Sequence, residues 1–236
     1  MSDRRIIDLS VPIGAGMPVF PGDPDVRIAP ALTIAADGVN VLAVHMGSQS
    51  GTHVDAPFHI LDDGLRLDEL PLDRFLGRAV VADLRAVGAE SPIAWAHLSG
   101  VHDQLAPGAI LLLHTGWSRH WGDFARMRTH PWLSADTAER IADAGVRTVG
   151  IDALSVDPTP LDAAAIRFDA HIAILGPGGV IVENLTNLQA LIGHDDLVVS
   201  VLPIALARAD GAPVRAVAYE RGAWPGALPS PARPGG

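Results

Sequence analysis

The stretch Gly51-Thr52-His53-Val54-Asp55-Ala56-Pro57-Phe58-His59 constrains this chain more than any other. It sets two imidazoles and a carboxylate at i, i+2 and i+6. Those offsets share parity, so an extended backbone points all three side chains to one face. Pro57 prevents a regular helix from running through the segment. The leading glycine and threonine suit a strand that reaches a pocket wall and bends. An ionised aspartate buried beside imidazoles is costly unless a cation or hydrogen bonds compensate it. Neutral imidazole and carboxylate are the usual ligands of zinc and its first-row neighbours, so a metal site is expected here.

At 236 residues, with 48% hydrophobic and 19% charged, the chain can bury a sizeable core in one large domain or two small ones. Its formal charge of -10 argues against nucleic acid or an anionic lipid surface as partner. All 17 basic residues are Arg, which removes Schiff-base and Walker-type lysine chemistry. The lack of cysteine removes disulfides, thiolate nucleophiles and Cys-ligated zinc. Met1 to Arg5 runs into the strand-like Ile6–Val11 without a secretory pattern, and Ala109 to Leu113 is too short to cross a bilayer. A cytoplasmic protein with no membrane partner is expected.

Aliphatic and β-branched runs bounded by Gly or Pro predict strands over 5–11, 26–33, 39–46, 79–84, 109–114, 147–151, 179–183, 197–204 and 213–220. Helical spacing predicts helices over Ile93 to Gln104 and over Ser134 to Ala144, with Ser134 as N-cap, and a short helical turn over Pro71 to Leu76. Strands interleaved with helices read as a mixed α/β domain rather than a pure barrel. The domain is expected over 1–221, with a Pro/Gly/Ala-rich tail at 222–236.

A second polar cluster combines Phe168-Asp169-Ala170-His171, the turn Gly176-Pro177-Gly178-Gly179 and Glu183. The turn would let a strand carrying Glu183 fold back beside His171, although it also reads as a plain hairpin loop. The loop Pro18–Pro24 is either a rigid turn or a pocket rim that places Phe20 or Asp23 beside a ligand. Trp117 and Trp121 follow a strand in a chain poor in aromatics, and either recognise a flat substrate or fill the core. No Gly-x-Ser-x-Gly elbow supports a serine nucleophile.

Together, Asp8–Ile13, Phe20–Pro24, the Gly51–His59 string, Gly150-Ile151-Asp152 with Ser155, and the His171 and Glu183 pair resemble the cyclase family of metal-dependent hydrolases, which includes bacterial kynurenine formamidases. The resemblance covers nearly the whole chain. It implies a single mixed-sheet α/β domain of swivelling β/β/α type. It implies that His53 and Asp55 bind a first metal, with Asp55 bridging to a second held by His171 and Glu183. It implies His59 as general base or acid. Zinc is the expected ion, manganese the alternative, with one or two ions per subunit. A small aromatic amide or cyclic amide is the implied substrate, and a homodimer or homotetramer the implied assembly.

The family usually carries a further His where this chain has Gln49, whose amide oxygen is a poorer zinc ligand. That position implies a weakened first site, a harder ion or a single metal. His45 shares its strand parity, but eight extended residues place it roughly 26 Å from His53. Other readings are an esterase or lactonase, a metal-dependent isomerase, or a binding protein with impaired turnover.

Overall fold

The computed structural model describes residues 6–223. In chain order its strands are β1 (Ile7–Asp8), β2 (Arg27–Leu32), β3 (Val41–His45), β4 (His53–Asp55), β5 (Leu76–Asp83), β6 (Pro92–Ile93), β7 (Ala109–His114), β8 (Trp132–Leu133), β9 (Thr148–Ile151), β10 (Val180–Glu183), β11 (Leu197–Ser200), β12 (Gly211–Pro213) and β13 (Val217–Glu220). The helices are α1 (Ile34–Asp37), α2 (Phe124–Met127), α3 (Ala135–Asp143) and α4 (Asp169–Leu175).

Nine strands form one mixed sheet in the order β1-β13-β11-β5-β7-β9-β10-β4-β12. Its centre, β5-β7-β9-β10, is parallel, and both flanks are antiparallel. Parallel strands are covered on both faces, and all six residues of β7 are buried accordingly. Leu111 and Leu113 join one core with Ile141, Ile151 and Ile174. Ile110 and Leu112 join the other with Phe75, Val182 and Val199.

The sheet cannot lie flat. β12 is its edge and β13 stands next to the opposite edge, yet only residues 214–216 join them. Seven strand spacings would separate the two by about 34 Å, and so short a link reaches only about 14 Å. The sheet therefore curls, and Leu9, Thr186 and Ala216 stitch the curl by backbone hydrogen bonds. The result is the α/β domain with a large mixed sheet expected from the sequence.

Local expectations were met unevenly. Ser134 caps α3 by accepting from the Thr137 amide, and Ala138 and Ile141 are buried as their spacing required. The helix expected over Ile93 to Gln104 is instead β6 followed by 3-10 turns at Trp95–Leu98 and His102–Gln104. Ser99-Gly100 interrupts the ladder, since glycine costs an α-helix about 1 kcal/mol relative to alanine. The strand expected over 197–204 stops at Ser200, because Pro203 cannot donate to a ladder. The one expected over 213–220 divides into the end of β12 and β13 at the curl. All of the tail expected at 222–236 beyond its first two residues lies outside the described residues.

Candidate metal centre

Strand alternation assembles the site. Val54 and Val182 pack in the core on one face of the sheet, so His53, Asp55 and Glu183 face the other way, toward α4. Register sets Glu183 opposite His53 and Ile181 opposite Asp55. α4 then brings His171 onto the same spot. The turn returning from α4 to β10 is tight enough that a Cβ on Gly179 would lie 2.4 Å from the Ile174 carbonyl. That turn is a helix-to-strand return, not a hairpin.

Four side chains converge there, all buried. His53 Nε2 lies 3.5 Å from Asp55 Oδ1 and 3.6 Å from Glu183 Oε2. His171 Nε2 lies 3.7 Å from Asp55 Oδ2 and 3.6 Å from Glu183 Oε1. Each carboxylate thus turns one oxygen to each imidazole. These separations are long for hydrogen bonds. They match donors sharing a cation: two atoms each about 2.1 Å from a tetrahedral zinc lie about 3.4 Å apart. Among the described residues neither Asp55 oxygen has a hydrogen-bond partner, an arrangement that a buried carboxylate tolerates poorly without a counter-charge. His53, Asp55 and Glu183 donors all fall within 4.8 Å of one another. The residues fit a divalent ion.

The imidazoles are held from behind, as metal-ligating histidines usually are. His53 Nδ1–H donates to the Gly51 carbonyl at 2.8 Å, and His171 Nδ1–H donates to Asp157 at 2.6 Å. Both Nε2 atoms therefore face the carboxylates, where an ion would take their lone pairs. Asp157 also accepts from the Ala170 and His171 amides, which fixes the first turn of α4. Gly51 adopts φ +69°, in the left-handed region that favours glycine, and Asn184 at φ +55° donates to its carbonyl.

Electrostatics within the cluster call for positive charge. Burial opposes protonation of His171, but its bond to Asp157 and the nearby carboxylates of Asp55 and Glu183 push it up to about 10. Burial, with repulsion from Asp55, pushes Glu183 up to about 7. For Asp55 burial acts upward, and the surrounding imidazoles outweigh it to hold the carboxyl below its usual range. A divalent ion supplies the same charge and displaces protons from these ligands.

A cavity of about 320 Å³ opens onto His53, His171 and Glu183. Phe20, Phe168 and Ile166 contribute apolar wall, and Asp23, Gln49, His59 and Asn184 its polar part. Phe168 meets the His171 ring edge-on with centroids 5.5 Å apart. Burial is the main cause raising the Asp23 carboxyl, partly offset by His53 and His59.

The structure corrects several expectations. His59 does not continue the strand: β4 ends at Asp55, and a 3-10 turn over Pro57–His59 swings the imidazole to the cavity side instead. Gln49 turns its amide nitrogen to His59 Nδ1 at 3.1 Å and Asp210 at 2.9 Å, leaving Oε1 buried without a partner. Trp117 and Trp121 are not among the residues lining the cavity. Trp117 sits in the core with its indole N–H on the Arg126 carbonyl, because Gly116 at φ +74° turns the chain back after β7. Both indoles line a void of about 10 Å³ behind Leu154 and Asn184. His45 is exposed on the β2–β3 hairpin opposite Arg27. Sequence reading missed Asp157 and Asp210, neither of which stands in a motif.

The sequence profile of the Cyclase family matches residues 7–158. This chain belongs to the cyclase family. The chain is 36% identical to the kynurenine formamidase of Paracidovorax citrulli (strain AAC00-1), a match covering 91% of this chain and 96% of that one. It is 32% identical to the kynurenine formamidase of Bordetella petrii (strain ATCC BAA-461 / DSM 12804 / CCUG 43448), over 93% and 100%. Among solved structures, the chain superposes on an isatin hydrolase bound to the product analogue thioisatinate with a TM-score of 0.82 at 20% identity, covering 92% of each chain. That likeness speaks for the fold.

Proposed function

We propose that this protein hydrolyses the C–N amide bond of a small aromatic substrate, using a divalent ion held by His53, Asp55, His171 and Glu183. The observation that carries the reading is the buried group of two imidazoles and two carboxylates, with Asp55 left without any hydrogen-bond partner. When bound, the ion polarises the scissile carbonyl and lowers the pKa of a coordinated water to about 7. Two nitrogen and two oxygen donors favour zinc over the harder manganese. Metal counting separates one central ion from one beside each imidazole.

The protein's own residues supply the rest. Phe20 and Phe168 offer aromatic wall to a flat substrate, and the cavity falls within the usual size of a small-molecule site. His59 lines the same cavity and moves a proton to the departing nitrogen. The similarity to kynurenine formamidases supports N-formyl aryl amides as substrates; the fold shared with an isatin hydrolase supports cyclic aryl amides. We also propose a homo-oligomer. The β2–β3 hairpin stands outside the main sheet and exposes Ile34, Val41, Leu42 and Val44, an apolar surface that a second copy would cover.

Both substrate classes can be assayed with zinc-loaded protein in H2(18)O. Hydrolysis places one heavy oxygen in the product acid, whereas an isomerase incorporates none. No turnover of either class by protein carrying stoichiometric zinc would overturn the proposal. Light scattering tests the assembly, and a monomer at working concentration would remove that part.

A further inference from the structure

Behind the cavity, His59 is tied back by a group outside the metal ligands. Asp210 Oδ2 accepts from Ser48 Oγ at 3.0 Å and from Gln49 Nε2 at 2.9 Å, and lies 3.4 Å from His59 Nδ1. The second N–H of the same Gln49 nitrogen faces His59 Nδ1 at 3.1 Å. The Ala56 amide donates to the Asp210 carbonyl at 2.8 Å, anchoring this residue beside the hallmark strand. Next to it, Gly211 leaves space for the Gln49 amide: a Cβ there would lie 2.7 Å from Gln49 Nε2 and 2.4 Å from the Val54 carbonyl.

The chemistry of these groups restricts the proton on His59. An amide nitrogen donates and cannot accept, and a carboxylate only accepts. The amide can be oriented only one way, since its oxygen facing Asp210 would set two acceptors against each other. With one Gln49 N–H on Asp210, the other meets His59 Nδ1 as an acceptor, which places the imidazole proton on Nε2. When the ring is protonated twice, Nδ1–H is received by Asp210 and Nε2 still carries its proton. Both states present Nε2–H to the cavity.

We propose that Asp210 and Gln49 are positioning residues that hold His59 as a proton donor, with Nδ1 tethered and Nε2–H directed at the substrate. This rests on the amide-hydrolase reading above. The donor is the doubly protonated ring: its Nε2 proton passes to the nitrogen leaving the tetrahedral intermediate as the C–N bond breaks, the neutral ring keeps its other proton on Nδ1 against Asp210, and Nε2 is reprotonated from solvent. An amine needs that proton more than an alcohol does.

Zinc-loaded protein labelled with 15N-histidine gives a readout independent of turnover. Long-range 1H–15N spectra are expected to show His59 protonated at Nε2; a bare Nε2 with the proton on Nδ1 overturns the proposal. Asp210→Asn is expected to shift those resonances, keep zinc stoichiometry, and lower kcat between about 10- and 100-fold with little change in KM. Its loss should be larger on an amide than on the matched ester, and Asp210→Glu should recover part of it. Unchanged spectra and kcat, or equal losses on both substrates, overturn it. Should Asp210→Asn fail to fold, the spectrum of the parent protein and the Gln49→Leu variant decide by the same criteria. A protein that turns over no amide yet shows Nε2–H sinks the functional reading and leaves the tether standing.

Discussion

Two buried aspartates stand at strand ends in this molecule, each beside a buried histidine, and they have opposite surroundings. Asp152, after β9, accepts from the Thr115 amide at 2.7 Å, the Thr115 hydroxyl at 2.6 Å, and His114 Nδ1 and the Gly116 amide, both at 2.9 Å. Asp55, ending β4, accepts no hydrogen bond from any of the described residues. A buried carboxylate whose lone pairs are all met by protein donors is part of the framework. One left open among imidazole lone pairs is incomplete until a cation arrives. Burial and residue type are alike at the two places, and only the partners tell them apart.

Substitution should separate the two aspartates. Asp55→Asn is expected to abolish turnover and remove the metal, as read by elemental analysis. Full metal occupancy would contradict the ligand role. His59→Ala is expected to keep its metal and lose rate by roughly 10²-fold or more, which steady-state kinetics on the amide would reveal. Asp152→Asn should cost about 3 kcal/mol in urea unfolding, since it orphans donors that now share one carboxylate, while whatever folds binds metal normally. A loss of metal without a loss of stability would invert the comparison.

His130 extends the contrast to pH. It is buried with Nδ1 on the Pro131 carbonyl and Nε2 on Thr159, and burial holds its pKa down to about 4 against the opposing pull of Pro131 and Asp157. The unfolded chain binds a proton here below about 6.5 and the folded chain does not. Stability from this group is therefore complete above pH 6.5 and is lost as pH falls toward 4. At about 1.4 kcal/mol per pH unit, that amounts to roughly 3 kcal/mol. Chemical denaturation across this window, compared with His130→Gln, should show a shallower acid loss in the variant; identical slopes would assign the effect elsewhere.

The legible part of the site was what one local segment carries. His53 and Asp55 lie two apart in a strand, and parity alone puts them on one face. The pairing of Glu183 with His171 was legible from the turn between them, but their place beside His53 only through resemblance, since β10 meets β4 through pairing across more than a hundred residues. His59 was identified for a wrong geometric reason, because the Pro57–His59 turn replaces the strand that parity assumed. The tryptophans were left open between pocket and core because their composition suits both equally well, and the Gly116 turn puts Trp117 in the core.

Composition and local pattern by themselves determined the chemistry available: imidazole and carboxylate ligands, no thiol, no lysine, and a mixed α/β chain. Tertiary structure alone decided which polar groups end up satisfied. The pairing of β12 with β4 draws Asp210 against Gln49 and His59, and the hold of Asp157 on α4 aims His171 at Asp55. Hydrogen bonds between residues far apart in sequence depend on register and closure, which no local propensity encodes.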